Sequence, residues 1–93
     1  MAQFTVRVEL HYADENDYET LHSAMEDEGF SRLIKTNDGT TYHLPTAEYN
    51  RAGTWTRQQV LDSAKAAAAK TKKNAAILVT ESNGRMWSGL EQV

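Results

Sequence analysis

Three histidines and two groups of cations, set among thirteen carboxylates, are the side chains in this 93-residue sequence that could do chemistry. His11 stands three residues before Asp14. An imidazole and a carboxylate at that spacing could act as a general base and its orienting group, or as two ligands of a divalent ion. The same pair also reads as a surface histidine followed by a helix cap. His22 has no cysteine and no second histidine at a matching helical spacing, so it reads as a packed or half-buried residue and not a ligand. Tyr42-His43 reads as strand dressing. Lys70, Lys72 and Lys73 could hold phosphate, whose contacts supply affinity without reading sequence. They could equally be the cations that a helix C-terminus favours. Tyr49, Arg51 and Trp55 could offer a contact surface to a protein, or pack on one another.

Composition limits what these groups can serve. There is no cysteine, which excludes disulfides and thiolate metal sites and fits a reducing cytosol. The longest apolar run is Ala66 to Ala69 and no basic-then-apolar signal pattern opens the chain, so a soluble, cytoplasmic protein with no membrane association is expected. The net charge of −3 argues against a protein that coats duplexes. Its distribution is uneven. Asp14, Glu15, Asp17, Glu19, Glu26, Asp27 and Glu28 come without a lysine or arginine among them, whereas Arg57, Lys65, Lys70, Lys72 and Lys73 are accompanied only by Asp62.

The elements that must position these residues are legible as patterns. Phe4 to Tyr12 alternates strictly, with Phe4, Val6, Val8, Leu10 and Tyr12 on one side and Thr5, Arg7, Glu9 and His11 on the other, as a half-buried strand does. Tyr18, Leu21, His22 and Met25 recur at helical spacing behind Asp14 as cap, and Gly29 ends that helix. Glu26, Asp27 and Glu28 then sit where the helix dipole disfavours them, and no neighbour in sequence offsets them. Asp38-Gly39 between Ser31–Asn37 and Thr40–Tyr49 predicts a two-residue hairpin turn, with Leu33 facing Leu44, Ile34 facing His43 and Lys35 facing Tyr42. Leu33, Tyr42 and Leu44 are the expected core side, leaving Arg32, Ile34, Thr41 and His43 exposed. Residues 46–55 show no clear period and read as a loop with room for a last piece of strand. Thr56-Arg57-Gln58-Gln59 is a capping box that opens a helix to about Lys72, with Val60, Leu61, Ala64, Ala67, Ala68 and Thr71 inward. Ala75 to Glu81 reads as a buried strand around Ile77, Leu78 and Val79. Asn83-Gly84 predicts a turn into a final strand, Arg85 to Leu90, paired with it.

The order is βαββαβ plus one strand, which predicts an α+β, ferredoxin-like split βαβ sandwich: one domain over 1–93, a mostly antiparallel sheet, and two helices on one face. Right-handed crossovers put the first strand between the third and the fourth. His11, Tyr12 and Asp14 would then meet the Asp38-Gly39 turn and the lysine-bearing end of the second helix. The uncovered face would present Arg7, Glu9 and His11 beside Arg32, Thr41 and His43, with Trp87 its one candidate for stacking a base.

The stretches FTVRVELHYADENDYETLHSAMEDEGFSR, TYHLPTAEYNR and AILVTESNGRMWSGL resemble small bacterial and prophage proteins grouped with the GhoS-type antitoxin family. The resemblance implies a ferredoxin-like fold similar to small CRISPR-associated nucleases, and an endoribonuclease antitoxin that cleaves messenger RNA. Where those nucleases carry a metal-binding carboxylate, this chain has His11-Tyr12-Ala13 before Asp14, so neither metal nor cofactor is expected. The catalytic candidates are His11, His43 and Asp14, with His11 or His43 as base or acid in attack of a 2′-hydroxyl on the adjacent phosphate. Arg7, Arg32, Lys70, Lys72 and Lys73 are the RNA-binding candidates. The expected partner is single-stranded RNA. The alternative is a non-catalytic adaptor that binds a protein through the acidic helix or a sheet edge, as a monomer or a homodimer.

Overall fold

The computed structural model describes residues 2–93. Strand β1 (Ala2–Leu10) follows its alternation: Phe4, Val6 and Val8 are wholly buried and Leu10 nearly so. It is the middle strand of an antiparallel sheet, between β4 (Glu48–Gly53) and β5 (Ala75–Ser82), with Val6 opposite both Tyr49 and Val79. Helices α1 (Glu15–Asp27) and α2 (Arg57–Ala69) cover one face, where Leu21, Ala24, Met25, Val60, Ala64, Ala67 and Ala68 pack with the inward side chains of β1. The protein is thus α+β, with two helices on one side of an antiparallel sheet.

Both helices begin as their sequences dictate. Asp14 and Asp17 exchange side-chain and backbone hydrogen bonds in a capping box, and Thr56 with Gln59 forms a second. At the end of α1 the Phe30 N–H donates to Met25 O (2.9 Å) and Gly29 N–H to Glu26 O (3.0 Å), which turns Phe30 into the core. β1 stops earlier than its alternation suggests. His11 N–H donates to Asn74 O (2.8 Å) and Tyr12 takes φ 54°, so its ring is exposed instead of extending the apolar side.

The hairpin of β2 (Leu33–Lys35) and β3 (Thr41–His43) differs from expectation by one residue of register. Leu33 faces His43, Ile34 faces Tyr42 and Lys35 faces Thr41. The turn is a three-residue loop, Asn37-Asp38-Gly39, closed by Thr36 N–H to Thr40 O (2.9 Å), with Gly39 at φ 90°. Three residues in place of two exchange the faces of β2 relative to β3, so Ile34 joins Tyr42 and Leu33 joins His43. Ile34 is therefore buried and Leu33 is partly exposed, the reverse of the sequence reading.

Thr40 to Tyr49 is not one strand. Pro45 and Ala47, at φ 68°, break it after His43, and Glu48–Gly53, within the stretch read as a loop, is the strand that pairs with β1. Nor does Arg85 to Leu90 pair with β5. Gly84 has φ 153° and its N–H donates to Ser82 Oγ (3.2 Å), so the two left-handed residues of a tight hairpin are missing. The chain instead reaches β3, where His43 N–H donates to Glu91 O and Val93 N–H to Thr41 O. This leaves β5 at the edge of the sheet, with Leu78 64% exposed on the uncovered face instead of buried.

Candidate functional site

The sheet face opposite the helices is polar. Along β1 it carries Gln3, Thr5, Arg7 and Glu9, flanked by Glu48 and Asn50 on β4 and by Leu78 and Thr80 on β5. Arg85 is anchored across this face: Nη1 donates to Thr5 Oγ1 (3.1 Å) and Asn50 Oδ1 (2.8 Å), and Nη2 donates to Gln3 Oε1. Partial burial lowers its pKa from the ordinary arginine value.

At the other end of β1, His11 Nε2 lies 3.8 Å from Glu9 Oε1, with Arg7 two residues further back on the same side of the strand. The carboxylate beside the imidazole is therefore Glu9. Asp14 spends its carboxylate on the first turn of α1, and the Asp17 N–H holds its pKa below the usual carboxylate value. His43 is exposed on β3, opposite Leu33. Among the described residues, no hydrogen bond or ion pair joins His11, His43 and Asp14 to one another.

The cations separate. Arg7 stands on the polar face, opposite Glu48 and Leu78. Arg32, expected beside it, is on the helix side: its Nε is buried without a partner, and its charge acts on His22 and Tyr49. Lys73 Nζ lies 3.8 Å from Asp17 Oδ2, so it complements the acidic helix. Lys70 caps α2 and Lys72 is exposed at φ 60°. The lysine end of α2 thus meets the end of β1 as expected. The Asp38-Gly39 turn does not: Thr36 and Asn37 line a cleft with Gln3 and Ser82, at the start of β1.

Sequence reasoning missed two clusters. The first is Arg85 with Gln3, Thr5 and Asn50. Only the polar parity of β1 hinted at it, because Arg85 was assigned to a strand. The second is His22, read correctly as half-buried, whose Nδ1 shares a 2.6 Å hydrogen bond with the hydroxyl of wholly buried Tyr49. Desolvation first, and then the Arg32 charge, lowers the His22 pKa, while burial raises that of Tyr49. Arg51, Trp55 and Phe30 pack on one another, the guanidinium lying 5.1 Å from the Phe30 ring centre and 4.4 Å from that of Trp55. No helix of the described residues is long and apolar enough to cross a membrane. No family model and no curated protein sequence matches the chain.

Proposed function

We propose that this protein is a ferredoxin-like, GhoS-like endoribonuclease antitoxin that binds single-stranded messenger RNA on the polar face of its sheet. The observation that carries the reading is Arg7 and Glu9 on the polar side of β1 with His11 just past the strand's end, its imidazole 3.8 Å from the Glu9 carboxylate. The central position of β1 and the placement of both helices on the other face support the sandwich. So does the resemblance in its sequence.

In this reading His11 removes the 2′-hydroxyl proton as the 2′-oxygen attacks the adjacent phosphorus. The bond from phosphorus to the 5′-oxygen breaks, and that oxygen takes a proton from a second acid, for which exposed His43 is the candidate. Glu9 orients the His11 imidazole, and Arg7 offsets the charge that builds on the phosphate oxygens. The products are a 2′,3′-cyclic phosphate and a 5′-hydroxyl. The step needs no metal.

The test is cleavage of labelled single-stranded RNA with and without chelator. His11→Ala is expected to lower the rate by about a hundredfold or more, the scale of general base catalysis, and Glu9→Gln by less. Undiminished cleavage in the His11→Ala, His43→Ala double variant discards the assignment. The unpaired edge of β5, with Leu78 exposed, favours a second reading, a protein-binding adaptor. Its mark is a co-purifying protein that is lost on Leu78→Asp or on neutralising Glu26, Asp27 and Glu28.

A further inference from the structure

A cleft of about 510 Å³ opens between the β2–β3 turn and the chain that leaves β5. Its walls are amides, hydroxyls, one aromatic, two cations and the aliphatic Ile34: Gln3, Asn37, Ser82, Trp87, Lys35 and Arg85 are among them, and no carboxylate is. In a chain of net charge −3 that is a local reversal of sign. The nearest acids in sequence are turned to other work. Glu81 lies 3.7 Å from Arg57, and Asp38 accepts from the Thr36 hydroxyl and from the Thr40 N–H within its own turn. Arg85 is held in place by Thr5, Asn50 and Gln3, so its charge reaches the cleft in a fixed position, whereas Lys35 is an exposed, adjustable cation on the facing wall. Trp87 is half-buried and meets Tyr42 at 5.7 Å with the rings inclined by 64°, an edge contact that fixes the indole without a parallel stack.

We infer that this cleft is a nucleotide subsite, in which Trp87 stacks a base and Lys35 and Arg85 hold its phosphate. The Nε2 of Gln3, whose Oε1 accepts from Arg85, and the amide of Asn37 can meet a base edge. The inference deepens the RNA-binding reading and rests on it. Gln3 lies four residues before Arg7 on the same side of β1, about 13 Å along the strand. One single strand crossing the face would therefore meet the cleft together with Arg7, Glu9 and His11.

The test uses the intact protein, a fluorescein-labelled single-stranded RNA decamer and adenosine 5′-monophosphate, with binding followed by anisotropy and by tryptophan fluorescence in a Trp55→Phe background. Trp87→Ala and Lys35→Ala are each expected to weaken RNA binding about tenfold at low salt, the scale of one stacked base or one phosphate contact. Trp87→Phe should restore most of the affinity, which a mere loss of folding would not allow. Lys35→Ala should also flatten the salt dependence by about one counterion. If wild-type protein binds RNA and neither variant weakens it, the subsite is wrong while the RNA reading stands. If RNA does not bind but the mononucleotide quenches Trp87 in a Lys35-dependent way, the subsite stands and the RNA reading falls. Absence of both responses overturns both.

Discussion

At the scale of single residues, the burial of His22 ties the stability of the fold to pH. His22 has a native pKa below its ordinary value of 6.5, because burial and the Arg32 charge outweigh the attraction of Glu19 and Glu26. Above pH 6.5 it is neutral in both the folded and the unfolded chain, and its contribution is complete. Below that value the unfolded chain takes up the proton first, so stability falls as pH drops toward the lowered native pKa. A urea midpoint that declines between pH 7 and pH 5, and declines less in His22→Gln, is the expected result. Asp14 and Asp38 are also lowered from 3.8, so their contribution is present above that value and is lost at more acid pH. The glutamine variant should keep that second decline.

At the scale of elements, the end of α1 shows how one strand can supply what a helix lacks. Glu26, Asp27 and Glu28 crowd a terminus with no basic residue in its last turn. Arg51, on β4, donates to the Glu28 carbonyl and lies against both Phe30 and Trp55. It supplies the missing cation, satisfies a free carbonyl and covers apolar rings. Arg51→Ala should therefore lower stability by roughly 1 to 2 kcal/mol, read as a lower urea midpoint at unchanged slope. Trp55 in turn lies so close to the chain that a Cβ on Gly53 would sit 2.5 Å from its Nε1. Strand and helix end are therefore one packing unit, although 20 residues separate them.

Across the whole molecule, apolar and polar functions are divided between the two faces of one sheet. The helix side holds the core, in which α2 approaches β1 and β5 through alanines, Ala64 and Ala67 being wholly buried. A larger side chain there must push the helix away. Ala67→Leu is expected to cost about 1 to 3 kcal/mol and to leave the proposed RNA binding at 25 °C unchanged, measured by urea unfolding and by anisotropy. The other side is left to Arg7, Glu9, His11, Arg85 and the cleft, away from the acidic surface of α1. A chain of net negative charge can in this way offer a polyanion a restricted, less acidic surface.

The sequence by itself determined most of β1, both helices with the Asp14 cap of α1 and the capping box of α2, the α1 end, the inward alanines of α2 and the half-burial of His22. These follow from contacts within a few residues and from a period of two or 3.6. Only the tertiary structure decided the rest. The hairpin register depends on whether Asn37 joins the turn, which a one-residue count cannot settle when both loop lengths suit Asp-Gly. The strand at Glu48–Gly53 has no clean alternation because Arg51 turns back to serve α1, so pairing with β1 defined it. Arg85 lies outside its expected strand, its guanidinium donating to Thr5, Asn50 and Gln3, which are distant in sequence. Those long-range polar contacts also shape the cleft, and no local pattern in the chain encodes them.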